Sequence, residues 1–526
     1  MVLTWSAGWS AIRVAVVPDL VRVRPSDAPG SVRKAVLSAA RNEYAPFQIA
    51  IHGGSAGLHR VNAAAGELRG KGGRTIAAHQ ITLYREHYVE VKTPSPHSKE
   101  GPGWYPDALL PLAEHKPGAR FTAAPFEVAV NANQVLWVDV LVPRDAAPGV
   151  YSGSITISAE RQKAARVPVE LTVRDFALPE TPSLRSNFGG LRPAYYGLTP
   201  GAPELIPYHR QLAEAMFAHR LCAPVPEHLY PRVNADGSID PSGTHAALKE
   251  WVERFHVTGI PIRLLGRDPL GADRERNTRY LREIYRYLRD NGWDKLAYIY
   301  VLDEPNTTEA YETVRLRARF IHETQPGIQV MCTEQPTPQD PAWGTLVGSV
   351  DLWVPIFFLF NEKDVMARVA AGEELWSYTA LVQQFEKGAT PYWQLDFPLL
   401  NYRVPTWIGW RYGMTGLLYW SAMVWDKAID MWTDPLTFRK RYNLEGLLFY
   451  PGTDAGMDGF LPSMRVKQVR GSVQDYEYFR LAATKDKAAA DKVITSIGRD
   501  WRDWDTDPAH LYAARERLAR IITGGK

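Results

Sequence analysis

The sequence contains few of the residues and patterns that mark several large classes of protein. Its 526 residues include only two cysteines, Cys222 and Cys332, which are far apart and provide no disulfide framework. Both fall in predicted strands, where a free cysteine behaves as a small buried apolar group. No run of eighteen apolar residues occurs, so no transmembrane helix is predicted.

Charge and motif content exclude further classes. The 61 basic and 58 acidic residues nearly balance and are scattered, which is unlike a nucleic-acid-binding surface. The thirteen histidines form no metal-like cluster. No phosphate-binding loop, Gly-rich dinucleotide fingerprint or Gly-x-Ser-x-Gly elbow is present. The sequence therefore predicts no metal, no cofactor and no nucleic-acid partner.

The remaining composition is that of a large globular protein. Hydrophobic residues make up 45% of the chain and aromatic residues 11%, and the length predicts two or three domains. From about residue 12 to 173, short strands alternate with turns rich in Gly, Pro and Asp, such as 143–149. This pattern predicts an N-terminal antiparallel β-sandwich over 1–178, followed by a linker punctuated by prolines.

Beyond the linker, predicted strands alternate with predicted helices, among them 204–219, 276–291 and 309–323. The eight strands are expected near 184–190, 221–225, 260–265, 298–303, 329–334, 351–356, 374–379 and 416–420. This count predicts a (β/α)8 TIM-like barrel over 184–440, with an open doubly wound sheet as the alternative.

Residues 441–526 are predicted to form a C-terminal extension packed on the barrel. A hairpin-like region is expected around 447–450, followed by helical runs at 463–483 and 488–523. The last run is expected to pack an apolar stripe against the barrel.

Two adjacent carboxylates, Asp303 and Glu304, follow the apolar run 296–302 and precede Pro305. Such a run predicts a buried strand, and burying a charge is costly unless it is paired or useful. The end of a barrel strand opens onto the face where active sites form. The pair therefore points to acid chemistry, with glycoside cleavage as the first reaction to consider.

Strand alternation predicts the direction of the side chains around the pair. One face holds Tyr298, Tyr300, Leu302 and Glu304, and the other, which is expected to pack on helices, holds Ile299, Val301 and Asp303. Asp303 breaks the apolar pattern of its face, so the strand is expected to end or twist there. Pro305 predicts extended backbone geometry for Glu304.

Two structural roles compete with a functional one for this pair. One is capping of the next helix, but Asn306 with Glu309 already forms a plausible capping arrangement. The other is a surface salt-bridge pair on a loop. Because the predicted cap is supplied by Asn306, the pair has no obvious structural duty, and the pattern favours function.

Several short motifs then occur in a fixed order along most of the chain. They are Arg41-Asn42-Glu43-Tyr44, Val140-Leu141-Val142-Pro143, Gly149-Val150-Tyr151-Ser152-Gly153, Asp303-Glu304-Pro305, Trp376-Ser377-Tyr378, Gly416-Leu417-Leu418-Tyr419-Trp420, Gly446-Leu447-Leu448-Phe449-Tyr450-Pro451-Gly452, Ser463-Met464-Arg465 and Gln474-Asp475-Tyr476-Glu477-Tyr478. In this order the sequence resembles glycoside hydrolase family 123. The resemblance implies an N-terminal β-sandwich, a (β/α)8 catalytic domain and hydrolysis of terminal β-linked N-acetylgalactosamine.

The resemblance also implies an exo-acting, retaining β-N-acetylhexosaminidase with substrate-assisted catalysis. Glu304 would be the general acid and base, and Asp303 would orient the acetamido group of the sugar. Two alternatives remain open. One is a retaining glycosidase that acts on a sugar without an acetamido group and uses a protein nucleophile, Glu334 or Asp396. The other is a non-catalytic carbohydrate-binding protein.

Aromatic residues near the later strand ends are candidates for a sugar platform. Eight of the seventeen tryptophans lie between 353 and 432. The candidate substrate-binding residues are Trp393, Tyr419, Trp420, Trp425, Tyr378, Asp396 and Glu334. The competing interpretation is that the aromatic side chains fill the core.

The expected partner is a glycan or glycoside substrate. The first 17 residues lack a basic region and a convincing cleavage site, so the sequence predicts either a cytoplasmic protein or a chain already trimmed. The family resemblance instead implies export, since relatives are often secreted or periplasmic.

Overall fold

The computed structural model describes residues 11–381 and 390–525. Its N-terminal region is built from strands, with two 3-10 turns between them. The strands are β1 (Arg13–Val17), β2 (Ala35–Arg41), β3 (Glu43–His52), β4 (Leu58–Ala65), β5 (Leu68–Gly70), β6 (Thr75–Ile76), β7 (Ile81–Val91), β8 (Gly103–Pro111), β9 (Phe126–Val128), β10 (Asn133–Val142), β11 (Gly149–Ser158) and β12 (Ala165–Ala177).

These strands form two sheets over one apolar core. The first has the order β1-β3-β10-β7-β8, and the second has the order β2-β12-β11-β4-β9, with β5 and β6 attached at its side. Alternate residues such as Phe47 and Ile49 of β3 meet Val169 and Leu171 of β12 in the same core. Pairing is antiparallel except between β2 and β12, where the prediction is wrong. These two strands are far apart in sequence, so no hairpin turn dictates their direction.

The second half of the chain adds eleven strands among the described residues. They are β13 (Arg185–Asn187), β14 (Arg232–Val233), β15 (Ile239–Asp240), β16 (Ile260–Ile262), β17 (Ala297–Leu302), β18 (Gln329–Cys332), β19 (Leu352–Trp353), β20 (Glu374–Tyr378), β21 (Gly416–Leu418), β22 (Phe449–Pro451) and β23 (Phe460–Pro462). Seven of them form a parallel sheet with the order β13-β21-β20-β19-β18-β17-β16. The antiparallel pair β22–β23 confirms the predicted hairpin-like region.

Side chains that reach across the parallel sheet show that it is curled. Near its amino end, Arg185 of β13 donates to Glu374 of β20 at 2.8 Å and to Gln329 of β18 at 2.9 Å. Farther along, Asn187 of β13 donates to the Tyr298 hydroxyl of β17 at 2.9 Å. The space between is filled by an apolar cluster that includes Tyr298, Met331, Trp376 and Leu418.

Seven of the eight predicted strands of this region are present, and the one expected at 221–225 is absent. That segment runs between β13 and β16 without a backbone ladder. The amide of Cys222 donates instead to the Ser186 hydroxyl at 2.9 Å, and its sulfur accepts from the Thr258 amide at 3.3 Å. Pro224 and Pro226 explain the difference, because each lacks the N–H that a ladder requires.

Helices cover the outer side of the curled sheet and build the C-terminal part. They are α1 (Ile206–Ala218), α2 (His245–Arg254), α3 (Arg274–Asp290), α4 (Thr308–Thr324), α5 (Glu362–Ala370), α6 (Leu400–Arg403), α7 (Pro405–Arg411), α8 (Met464–Lys485), α9 (Lys487–Ile494) and α10 (Pro508–Thr523). Within the described ranges, no helix has both the length and the apolar character needed to cross a membrane.

Two helix predictions need correction. Helix α4 begins at Thr308 and is capped by Thr307, whose hydroxyl accepts from the Ala310 amide at 3.1 Å, so Asn306 is not the cap. The run 488–523 is two helices rather than one, and α10 packs on α8 and β12 rather than on the parallel sheet. Glu516 of α10 forms an ion pair with Arg174 of β12.

Helix α8 joins the two halves of the chain through buried charges. Arg465 pairs with Asp107 of β8 at 2.8 Å, and Arg470 pairs with Asp139 of β10 at 2.6 Å. Toward the other side, Asp475 accepts from Arg403 of α6 at 2.8 Å. All of these side chains are at most 4% exposed, so α8 anchors the N-terminal sheets to the region that carries the parallel sheet.

Candidate active site

The pair Asp303–Glu304 lies directly after β17, at the carboxyl edge of the parallel sheet, and both residues are exposed. Ile299 and Val301 pack with the helices, as predicted. Leu302 packs on that side too, against the prediction, because the register with β18 shifts between Tyr300 and Leu302. A shift of one residue moves the following side chains to the opposite face.

This irregularity brings Asp303 back to the Tyr300 side of the strand. The Tyr300 hydroxyl donates to Asp303 Oδ1 at 2.5 Å, and the Thr333 hydroxyl donates to the same oxygen at 3.1 Å. Thr333 follows β18 and is 4% exposed. Burial, together with the bond to Asp303, raises the pKa of Tyr300 well above its usual range. Tyr300 therefore stays a proton donor to Asp303.

Glu304 has an unusual backbone conformation and a separate partner. Its φ is +40°, in the left-handed region, so the predicted extended geometry is wrong. Such a conformation costs on the order of 1–3 kcal/mol for a residue other than glycine. The Glu304 amide donates to Thr333 Oγ1 at 2.9 Å, which helps to stabilise this turn.

Tyr378, at the end of β20, donates its hydroxyl proton to Glu304 Oε1. Strands β20 and β17 are not neighbours in the sheet, so this bond spans the interior of the curl. Burial raises the pKa of Tyr378 well above its usual range, and the nearby Glu304 carboxylate adds to the rise. Glu304 is therefore held at Oε1 by a tyrosine that belongs to a different strand from its own.

Glu334 lies one residue beyond Thr333 but is only 4% exposed. Its Oε1 accepts from the Gln335 amide at 3.2 Å. Burial raises the pKa of Glu334 to about 7, and the nearby Glu304 carboxylate acts in the same direction. The side chains of Tyr311 and Gln335 face Glu334 and act in the opposite direction.

The candidate sugar-binding residues are only partly brought to this site. Tyr378 contacts Glu304, and Trp420 is half-buried after β21, where it donates to Glu445 at 2.7 Å. The Arg192 guanidinium lies 5.6 Å above the Trp420 ring.

Three other aromatic candidates are enclosed in the core. Trp393 is 2% exposed and donates to the Asn401 carbonyl at 2.9 Å. Trp425 is 7% exposed and donates to the Phe449 carbonyl at 2.8 Å, while Tyr419 is fully buried. Their large apolar surfaces are therefore buried against other core side chains.

Asp396 is also enclosed, and its carboxylate is bound by a residue of the N-terminal region. Its two carboxylate oxygens accept from the Ser95 amide at 2.5 Å and from the Ser95 hydroxyl at 2.7 Å. The residue is fully buried at the junction with the N-terminal region, where it joins the two halves of the chain.

A cavity of about 720 Å³ lies elsewhere, between β1–β3 and helices α8 and α10. Its lining includes Phe47, Arg403 and Tyr512 but neither member of the carboxylate pair. Volume alone does not mark an active site, and the convergence of two carboxylates with two tyrosines and a threonine does so on chemical grounds.

Comparison with known proteins identifies two family domains in the chain. The glycoside hydrolase 123 catalytic domain matches residues 272–482, a range that contains the pair. The glycoside hydrolase 123 N-terminal domain matches residues 22–159.

The chain belongs to glycoside hydrolase family 123. It is therefore an enzyme that hydrolyses glycosidic bonds, and its substrate is a glycan or glycoside.

A solved family 123 glycoside hydrolase from Clostridium perfringens, described in connection with glycolipid glycan hydrolysis, has the same fold. It is 14% identical, with a TM-score of 0.68, and the match covers 98% of this chain and 98% of that one. A Bacteroides ovatus GH5 xyloglucanase matches at 9% identity and a TM-score of 0.27, over 84% of this chain and 98% of its own. A family 39 glycoside hydrolase from Bacteroides cellulosilyticus matches at 10% identity and 0.34, over 74% and 77%. The last two scores are too low to indicate a shared architecture. No curated protein matches the sequence.

Sequence reasoning about this family 123 enzyme missed Tyr300 and Thr333. Strand alternation places Tyr300 on the face opposite Asp303, and only the register shift joins them. Thr333 had a usable signal, because it follows a strand predicted to lie in the same barrel and therefore at the same edge.

Proposed function

We propose that this family 123 enzyme is an exo-acting, retaining β-N-acetylhexosaminidase, with galactosamine favoured, that uses substrate-assisted catalysis. The observation that best supports the proposal is the division of partners within the pair. Asp303 accepts from Tyr300 and Thr333, whereas Glu304 accepts from Tyr378. Adjacent carboxylates with separate environments suit separate roles.

In the proposed first step, the acetamido oxygen of the substrate attacks the anomeric carbon. The bond to the leaving oxygen breaks, and that oxygen takes a proton from Glu304. Asp303 accepts a hydrogen bond from the acetamido N–H and stabilises the positive charge that develops there. In the second step Glu304 removes a proton from water, which opens the oxazoline-type intermediate. Two inversions at the anomeric carbon give retention.

The environment of Glu334 argues against the alternative with a protein nucleophile. A nucleophilic carboxylate must be ionised and must lie about 5 Å from the acid. Glu334 is 4% exposed, and burial raises its pKa to about 7, so a large share of it is neutral at neutral pH. Asp396 is fully buried and its oxygens are occupied by Ser95. Neither residue suits the role.

We also propose how the rest of the molecule serves this function. The two N-terminal sheets correspond to a β-sandwich domain over 1–178, and the curled parallel sheet to a (β/α)8 barrel over 184–440, with 441–526 as an extension. Trp420 is the aromatic residue we propose for sugar contact, since it is half-buried, whereas Tyr378 is 4% exposed and the other aromatic candidates are enclosed as well. The C. perfringens relative is described with glycolipid glycans, so a terminal sugar on such a glycan is a reasonable substrate.

The proposal is tested with a panel of aryl glycosides that compares the β-N-acetylgalactosaminide with its gluco and 2-hydroxy counterparts. Glu304→Gln and Asp303→Asn are each expected to lower kcat by at least about 100-fold, the lower end for a positioned proton-transfer group. N-trifluoroacetyl substrates are expected to react more slowly, because their carbonyl oxygen is a poorer nucleophile.

Glu312→Gln, on the exposed face of α4, is the matched control and is expected to leave turnover unchanged. Cleavage of 2-hydroxy sugars that depends on Glu334 would contradict the proposed mechanism. Absence of cleavage across the whole panel would favour the carbohydrate-binding alternative.

A further inference from the structure

One buried hydroxyl contacts both members of the catalytic pair. Thr333 Oγ1 lies 3.1 Å from Asp303 Oδ1 and 2.9 Å from the Glu304 amide nitrogen. It also lies 2.8 Å from the hydroxyl of Tyr300, the second donor to Asp303. Thr333 is 4% exposed, so a substrate has little access to it.

The number of hydrogen bonds that the Thr333 hydroxyl can donate and accept limits its role. A threonine hydroxyl has one proton to donate and two lone pairs with which to accept. The Glu304 N–H fills one lone pair, and the single proton is shared between Asp303 Oδ1 and the Tyr300 oxygen. The Tyr300 proton points to Asp303 at 2.5 Å. In this arrangement Asp303 Oδ1 accepts two hydrogen bonds, one from Tyr300 and one from Thr333.

The same hydroxyl accounts for the strained backbone at Glu304. A φ of +40° before Pro305 is disfavoured twice, by the Cβ of Glu304 and by the proline ring. Such a conformation persists where the surrounding contacts define it. The hydrogen bond from the Glu304 amide to the Thr333 hydroxyl is such a contact. The β-branched side chain of Thr333 has few rotamers, which keeps this hydroxyl in place.

We propose that Thr333 is a positioning residue that holds Glu304 in its left-handed backbone conformation and Asp303 in its acceptor orientation. Its effect on turnover rests on the function proposed above, whereas its effect on the backbone does not. The two carboxylates, adjacent in the chain, thereby face the substrate at different angles and perform different tasks.

The test compares Thr333→Val, which keeps the shape and removes the hydroxyl, with Thr333→Ser, which restores the hydroxyl. For the valine variant we expect kcat to fall by about 30-fold with KM within about threefold of the wild type. The serine variant is expected to stay within about threefold in kcat. If the valine variant fails to fold, Thr333→Ala serves in its place.

Thr406→Val is the matched control, because Thr406 is 3% exposed and its hydroxyl contacts Ser472 of α8, outside the site. It loses a buried hydroxyl as well and is expected to keep the wild-type kcat. A double variant with Asp303→Asn is expected to have a lower kcat than Asp303→Asn alone, because the hydrogen bond from the Glu304 amide is lost only when Thr333 changes.

A crystal structure of Thr333→Val provides a readout that does not depend on activity. We expect Glu304 to leave the left-handed region and Asp303 to lose its contact with Tyr300. An unchanged Glu304 φ, or a kcat within about threefold of the wild type, would overturn the inference. If the enzyme instead cleaves only 2-hydroxy sugars, the proposed function fails, and the same variants are then compared on that substrate.

Discussion

Replacing Glu334 with glutamine is the most informative single change, because it tests a stability argument and a mechanism together. Glu334 is 4% exposed, and its pKa rises from the ordinary value of 4.5 to about 7, chiefly through burial. A rise of this size corresponds to about 3 kcal/mol of folding free energy. Glutamine has nearly the same shape and does not titrate.

The direction of the pH effect follows from the raised pKa. The folded protein binds the Glu334 proton more tightly than the unfolded chain does. The stabilising contribution of Glu334 to the free energy of unfolding is therefore fully present below pH 4.5 and is lost as the pH rises through about 7. The wild type is therefore expected to lose about 3 kcal/mol relative to Glu334→Gln between about pH 4 and pH 8. The glutamine variant should thus show its largest gain in relative stability at the alkaline end.

The assay is urea unfolding of both proteins at several pH values across that range, with kcat measured on the same preparations. Glu312→Gln is the matched control, since Glu312 forms an exposed ion pair with Arg315, a kind worth about 0–1 kcal/mol. The reasoning is refuted if the stability difference between wild type and Glu334→Gln does not depend on pH. Loss of nearly all turnover in Glu334→Gln, with accumulation of a covalent intermediate in the wild type, would show instead that Glu334 is a nucleophile.

Two further predictions concern the Tyr378 hydroxyl, which donates to Glu304, and the buried ion pairs of α8. Tyr378→Phe removes the donor to Glu304 Oε1. We expect kcat to fall by about 10- to 100-fold, the size of effect that follows loss of a hydrogen bond to a charged group. An unchanged kcat in steady-state kinetics would contradict this role. Arg465→Met leaves the fully buried Asp107 without its charged partner and is expected to cost about 3–5 kcal/mol in urea unfolding. The double change Asp107→Leu with Arg465→Met is expected to recover part of that loss, and a double variant less stable than Arg465→Met would argue against an unpaired charge as the cause.

Much of the fold follows from local patterns in the sequence. Period-two alternation identifies the N-terminal strands, and apolar runs identify seven of the eight strands predicted after the linker. The failure at 221–225 also has a local cause, because Pro224 and Pro226 were visible in the sequence and should have excluded a ladder strand there.

The residues of the candidate site were likewise only partly predictable from the sequence. The sequence by itself determined that Asp303 and Glu304 follow a buried strand and that the chain has the motifs of family 123. It also showed aromatic residues concentrated near the later strands, but it did not show that Trp393, Tyr419 and Trp425 are enclosed. Burial depends on which elements pack over a residue, and this is a property of distant parts of the chain.

Only the tertiary structure decided how the pair is held. Tyr378 reaches the Glu304 carboxylate because the parallel sheet curls, and Thr333 reaches the Asp303 carboxylate and the Glu304 amide because β17 and β18 are neighbours. The register shift that turns Asp303 toward Tyr300 and the left-handed φ of Glu304 oppose the local rules of strand alternation and proline geometry. Local preferences amount to a few kcal/mol at most, and a network of contacts between distant residues can exceed them.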